Sequence, residues 1–147
     1  MRQIAGNKRN VEMEHPLLFA FRARTALDFA AAEARARELL AQEGFGVLSE
    51  IAVDQVLKAK LGVEGAPCKI FGACNPPFAH RALELEPLVS VLLPCNVVLW
   101  ERGDHREVAA MNPSFMGALL PALEELGREA GARLTRVLER LEAEAPA

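Results

Sequence analysis

The stretch VVLWERGDHREVAAM, residues 97–111, decides the fold of this chain. Two apolar runs flank a glycine-containing turn at Arg102–His105, and this arrangement is typical of a β-hairpin. Pairing across the four-residue loop sets Leu99 opposite Val108 and Val97 opposite Ala110, with all four side chains on one face. We therefore expect an antiparallel sheet with one buried side.

Other segments with strand-like alternation extend this sheet. We predict five strands, at Leu17–Arg24, Phe45–Val53, Lys69–Ala73, Val89–Glu101 and Arg106–Met111. Pro94 interrupts the fourth segment and cannot donate a hydrogen bond to a neighbouring strand, so we expect an edge, a bulge or a kink there.

Capping signals place helices between and after these strands. Thr25, with Asp28 three residues later, predicts the start of the first long helix. Asn75 followed by Pro76 predicts the start of a short one, and Pro121 predicts a break before a long last helix. The fold class is therefore α+β, a mostly antiparallel sheet of about five strands with the two longer helices packed on one face.

Composition and charge exclude some classes of partner and indicate a cellular compartment. Seventeen basic and twenty acidic residues give a net charge of -3, whereas nucleic-acid binding needs a concentrated basic face, so we expect no nucleic-acid partner. The longest apolar stretch, Leu88–Trp100, is interrupted by polar residues and shorter than the roughly 20 residues of a membrane helix, so we expect no membrane association. Three cysteines without paired spacing indicate reduced thiols and a cytoplasmic protein.

The N-terminal residues differ in character from the rest of the chain. Met1–His15 is polar and mildly basic and contains no apolar core of a secretory signal. We interpret residues 1–15 as an N-terminal extension and residues 16–147 as a single globular domain, a length sufficient for one hydrophobic core.

Two Cys-Asn pairs stand out as candidate site residues. Each pair lies beside a proline at the end of an apolar run, in the segments Gly72–Pro77 and Pro94–Asn96. Such segments form fixed backbone corners, and two corners at strand ends can converge on one pocket. The predicted binding residues are Cys74, Asn75, Cys95 and Asn96.

Catalytic candidates arise at the first corner. Cys74 directly precedes a predicted helix start, where unpaired N–H groups favour a thiolate, and His80 lies about one turn beyond Pro76. With Cys95 and Met111 these residues also suggest a soft metal set, but the spacing matches no closed zinc pattern, so we predict no metal site and name no cofactor. Packing is the alternative for the cysteines, capping for Asn75, and a surface or core position for His80.

Four motifs carry a resemblance that spans about Pro16 to Leu141. They are Glu43-Gly44-Phe45-Gly46-Val47-Leu48, Ile70-Phe71-Gly72-Ala73-Cys74-Asn75-Pro76, His80-Arg81-Ala82-Leu83 and Leu92-Leu93-Pro94-Cys95-Asn96-Val97-Val98. In this order they resemble the domain of unknown function 302 family. The resemblance implies a β-α-β(4)-α fold similar to that of the TATA-box-binding protein, and small, cytoplasmic, homo-oligomeric proteins. It implies no biochemical activity and no DNA binding.

Three functions remain open on these grounds. The leading hypothesis is a small-ligand-binding domain with a pocket between the two corners. The second is a thiol-dependent or redox enzyme that uses Cys74, and the third is a structural interaction module without a ligand. Abundant apolar residues and a Pro94-containing strand that leaves a sheet edge to be covered lead us to expect a two-fold homodimer.

Overall fold

The computed structural model of the chain describes residues 19–144, so the predicted extension 1–15 lies outside the described residues. The strands are β1 (Ala20–Thr25), β2 (Gly46–Ala52), β3 (Cys68–Cys74), β4 (Cys95–Glu101) and β5 (Arg106–Met111). The helices are α1 (Phe29–Gln42), α2 (Val53–Leu61), α3 (Pro76–Leu85), α4 (Phe115–Leu119) and α5 (Glu124–Ala143), with 3₁₀ segments at Pro87–Leu92 and Pro121–Leu123. None of the helices within residues 19–144 combines the length and apolar character that spanning a bilayer requires.

The five strands form one antiparallel sheet in the order β1-β5-β4-β3-β2. The predicted hairpin register is confirmed, because Leu99 pairs with Val108 and Val97 pairs with Ala110. All four of these side chains are buried beneath α1 and α5, which pack on the same face of the sheet. The α+β fold class is thereby confirmed.

The structure corrects the fourth predicted strand. Residues 89–92, expected to be extended, belong to the 3₁₀ segment Pro87–Leu92, and β4 begins only at Cys95. β4 also lies between β3 and β5 in the sheet, so the expected edge at Pro94 is wrong. Pro94 precedes the strand, where its missing N–H removes no ladder hydrogen bond.

The helix starts follow the capping chemistry with one correction. Asp28, and not Thr25, is the N-cap of α1, since its Oδ1 accepts a hydrogen bond from the N–H of Ala31 at 2.8 Å. Thr25 is instead the last, buried residue of β1. Asn75 caps α3 as expected, and Pro121 separates α4 from α5.

The buried side chains of the described residues form two hydrophobic clusters. The larger one lies between the sheet and the two long helices and includes Phe71, Leu99 and Leu134. The smaller one joins α3, α4 and the start of α5 through Ala82, Val89, Met116, Leu123 and Leu126. Phe78 and Met111 each pack against both clusters, so they lie at the boundary between them.

Because Gly72 has no side chain, Ser49 and Pro94 can both lie close to β3 at this position. A Cβ atom at this position would lie 2.2 Å from the Ser49 hydroxyl and 2.7 Å from Cγ of Pro94. The hydroxyl can rotate away, but the proline ring is part of the backbone and cannot. We expect Gly72→Ala to lower the free energy of unfolding by about 1–3 kcal/mol in chemical denaturation, through overpacking.

Gly46→Ala, on the neighbouring strand β2, is the matched control, because within residues 19–144 no heavy atom other than those of Gly46 and its two chain neighbours lies within 4 Å of a Cβ placed there. It should change the free energy of unfolding by no more than about 0.5 kcal/mol. Equal stabilities of the two variants would show that Gly72 does not fix this corner.

Candidate functional site

A cavity of about 360 Å³ lies where the ends of β3 and β4 meet α3, α4 and α5. Its lining is almost entirely apolar, and no residue of the described chain that lines it carries a charge. The lining residues are Phe45, Leu48, Ser49, Ala73, Cys74, Asn75, Phe78, Ala79, Ala82, Leu93, Pro94, Cys95, Pro113, Met116, Leu123, Leu126 and Ala130.

Exposure of the lining residues distinguishes the mouth of the cavity from its floor. Leu48 is 71% exposed and the neighbouring Ser49 is also exposed, so the mouth lies at the β2 side. Ala73 and Leu123 are each 0% exposed and form the floor between the two hydrophobic clusters. The cavity therefore has one open side and a deep apolar end.

The structure brings both candidate cysteines to this cavity. Ala73 pairs with Cys95 across β3 and β4, which places Cys74 one residue further along, at the turn into α3. Cys74 is half-buried and Cys95 is buried. Burial raises the pKa of Cys95 to about 11, with a smaller contribution from the nearby Cys74 thiol. Cys95 therefore stays protonated at neutral pH.

Asn75 lines the cavity, but its side-chain amide is already hydrogen-bonded to main-chain groups of the cavity wall and its surroundings. Its Oδ1 accepts from the N–H of Phe78, and its Nδ2 donates to the carbonyl oxygen of Glu43 at 3.4 Å. Arg133 donates to the same oxygen at 3.1 Å and lies over the Phe78 ring. The Arg136 guanidinium binds the Glu43 carboxylate and lowers its pKa. Asn75 thus has a positioning role that ties α3 to α1 and α5.

Asn96 is separated from the other three predicted binding residues. It pairs with Gly72 in the sheet, and its exposed side chain lies on the face opposite α1 and α5. The corner Pro94–Asn96 therefore contributes Pro94 and Cys95 to the cavity but not Asn96, because adjacent strand residues point to opposite faces.

The expected thiol–imidazole pair is not assembled. The side chain of His80 is 76% exposed, does not line the cavity, and its Nε2 lies 2.7 Å from Oε1 of Glu84. Met111 does not line the cavity and instead borders a groove over β4 and β5, so the suggested soft metal set is not assembled either. Within residues 19–144 no group of three or more His, Cys, Asp or Glu is placed to hold a metal ion.

The part of the cavity wall that comes from the last third of the chain was not predicted from the sequence. Met116, Leu123, Leu126 and Ala130 line the cavity opposite the cysteines. In the sequence they belong to the apolar stripe of the last helix and to the segment before it, a pattern that also fits ordinary core. The break at Pro121 is the one signal that sets this segment apart.

Comparison with known proteins gives a family match over nearly the whole chain. The family model described as domain of unknown function DUF302 matches residues 21–141, which include all residues of the cavity lining. The chain is 30% identical to an uncharacterized conserved DUF302 protein from Bacillus stearothermophilus, with a TM-score of 0.78 to its crystal structure, covering 84% of this chain and 98% of that one. No curated protein matches.

The wall contacts of Asn75 give a stability prediction. Asn75→Ala removes both the helix cap and the bond to Glu43, and should lower the free energy of unfolding by about 1–2 kcal/mol. Asn75→Ser keeps a capping oxygen and should lose less. Denaturant titration of both variants measures the difference, and an alanine variant as stable as the original chain would contradict the capping role.

Thiol reactivity should differ among the three cysteines. In variants that retain one cysteine each, N-ethylmaleimide should modify Cys74 fastest at pH 8, because burial and Asp54 raise the pKa of Cys68. A pKa near 11 instead of 9 lowers the thiolate fraction of Cys95 by about 100-fold. The rate at which N-ethylmaleimide modifies Cys95 should therefore rise with pH up to about 11. Similar rates for Cys74 and Cys95 at pH 8 would contradict this arrangement.

Proposed function

The chain belongs to the domain of unknown function DUF302 family, and from this premise we propose that it binds a small, uncharged, predominantly apolar molecule in the cavity between its two hydrophobic clusters. The single observation that carries the proposal is the cavity itself, an apolar space of about 360 Å³ with one open side. Its volume is typical of small-molecule sites. The family has no assigned activity, so the proposal rests on geometry.

The charge of the ligand follows from the lining. An ionised group in this cavity would lose its hydration without gaining an oppositely charged partner, which costs several kcal/mol. The amide of Asn75 already binds Phe78 and Glu43, whereas Cys74 is half-buried and Ser49 is exposed at the mouth. A ligand with an apolar body and one weakly polar end at the mouth fits this distribution.

Ligand size follows from the volume. At about 30 Å³ for each non-hydrogen atom, the share of a water molecule in the liquid, the cavity holds about a dozen such atoms. This is the size of a medium-length aliphatic chain or of two fused aromatic rings.

A thiol-dependent activity of Cys74 is the second candidate, and the presence of two thiols at one cavity favours it. A nucleophilic thiol needs an adjacent base or another group that stabilises the thiolate. His80 binds Glu84 at the surface, and the pKa of Cys95 is raised, so neither residue supplies that group. A binding function therefore has more support than a thiol-dependent activity.

We also propose that binding takes place in the cytoplasm. Cys68, Cys74 and Cys95 are all free thiols, and two of them line the site. Reducing compartments preserve such thiols, whereas oxidising ones favour disulfides.

The uncharged fluorophore 1-aminonaphthalene, whose emission shifts to shorter wavelength in apolar surroundings, tests the proposal. We expect one molecule to bind per chain with a micromolar dissociation constant, and anionic 1-naphthalenesulfonate to bind at least 10-fold more weakly. Ala79→Leu extends a side chain into the cavity from α3 and should weaken 1-aminonaphthalene binding at least 10-fold.

Ala132→Leu is the control, because Ala132 is exposed on α5 and lies outside the cavity. It should bind the fluorophore like the original chain. Absence of saturable binding, or equal affinity in the Ala79→Leu variant, would refute a ligand site in this cavity.

A further inference from the structure

Two thiols line one cavity at the ends of neighbouring strands. Cys74 is the last residue of β3, Cys95 is the first residue of β4, and both belong to the cavity wall. Cys95 is only 7% exposed, and within residues 19–144 its thiol makes no hydrogen bond. A ligand that enters the cavity can therefore reach two sulfur atoms, one of which has no partner in the described chain. We call Cys74 and Cys95 the thiol pair.

The strand register sets the spacing of the thiol pair. Ala73 pairs with Cys95, so Cys74 lies one residue beyond the partner of Cys95. Paired residues of antiparallel strands are about 5 Å apart and successive strand residues about 3.3 Å apart, which puts the two cysteine Cα atoms about 6 Å apart. Cysteines with Cα atoms about 4.4–6.8 Å apart are close enough for their sulfur atoms to meet. A single atom placed between the two sulfur atoms can therefore be bonded by both.

The thiol pair has no third ligand beside it. Cys68 and Cys74 lie at opposite ends of a seven-residue strand, about 20 Å apart. Of the described residues that line the cavity, none is His, Asp or Glu. The site thus offers two sulfur atoms and no charged group. A ligand that matches it forms two bonds to sulfur and is neutral once bound.

The rest of the cavity wall suits an aromatic substituent. Phe45, Phe78 and Met116 all line the cavity. Aromatic rings pack well edge to face or offset, and methionine sulfur makes favourable contacts with ring edges. A phenyl group attached to the atom between the two sulfurs stays within the capacity of about a dozen non-hydrogen atoms. Such a group would be surrounded by these three side chains.

We propose that the thiol pair binds a monosubstituted trivalent arsenical, in which arsenic carries one apolar group and two hydroxyl groups. This inference rests on the proposed ligand-binding function of the cavity and names the class of ligand. Two thiols match the two hydroxyl groups that arsenic can exchange, and the apolar wall matches the substituent that it keeps. Inorganic arsenite fits less well, because its third hydroxyl group would lie in apolar surroundings.

Binding is an exchange of bonds without oxidation or reduction. Both S–H bonds and both As–O bonds break, two As–S bonds form, and each hydroxyl group leaves as water with one thiol proton. Arsenic stays trivalent, and the bound product carries no charge. Because the thiol protons leave as part of the water, the product is compatible with the raised pKa of Cys95. A neutral product also suits a cavity whose described lining residues carry no charge.

Phenylarsine oxide, which adds water to give the dihydroxy form, tests the proposal on the full chain. We expect one phenylarsenic group per chain by intact mass measurement, and displacement of bound 1-aminonaphthalene. Cys74→Ser and Cys95→Ser each leave only one As–S bond, so each should weaken phenylarsine oxide binding about 100-fold or more. Cys68→Ser is the control, because Cys68 lies at the other end of β3, and it should bind like the original chain.

A second measurement uses the original chain and does not depend on the folding of a variant. An excess of the monothiol 2-mercaptoethanol should remove little of the bound arsenical, whereas the dithiol 2,3-dimercaptopropanol, which also bonds arsenic twice, should remove it. Arsenite should bind about 10-fold or more weakly than phenylarsine oxide. Equal removal by the two reagents at the same thiol concentration, unchanged affinity in both serine variants, or equal affinity for arsenite would overturn the proposal.

The fluorophore separates failure of this inference from failure of the proposed function. Saturable 1-aminonaphthalene binding, together with an arsenical that 2-mercaptoethanol removes completely, refutes the role of the thiol pair and leaves the cavity as a ligand site. Absence of 1-aminonaphthalene binding refutes the ligand site itself, even where both sulfur atoms hold the arsenical.

Discussion

The main-chain carbonyl of Glu43 is the point on which the arrangement of the helices depends. It lies at the end of α1, where helical carbonyls have no partner further along their own helix. Asn75 at the start of α3 and Arg133 in α5 both donate to it. Three helices are thereby fixed to one oxygen atom. Because α3 starts from this point, its first turn forms one wall of the cavity, and the cavity lies between the sheet and the smaller cluster.

Local chemistry made much of the fold predictable from sequence. The Asn75-Pro76 cap and the hairpin register depend on contacts between residues close in the chain, and both are confirmed. The 3₁₀ segment Pro87–Leu92 was missed, because a run of leucine and valine fits either an extended or a helical backbone. Pro94 indicated an interrupted ladder, but only tertiary pairing shows that β4 starts after it.

The candidate site was less predictable, because sheet register decides it. The two Cys-Asn pairs look equivalent in the sequence, yet Cys95 faces the helices while Asn96 faces away from them. Cys74 and Asn75 stay together because the strand ends there and the alternation of faces ends with it. The opposite wall, with Met116 and Leu126, depends on packing between segments distant in the chain, and no local pattern reveals such packing.

The position of the cavity at the boundary of two hydrophobic clusters affects how cooperatively the chain unfolds. Where the cavity lies between them the two clusters make no direct contact, so they are joined mainly through α5 and the side chains that border both clusters. Phe78 and Met111 each pack against both clusters. A molecule that fills the space adds contacts to each side and stabilises the closed form in proportion to its concentration relative to its dissociation constant. A ligand in the proposed site would therefore increase the coupling between the two clusters, and the cooperativity of unfolding would depend on whether the cavity is filled.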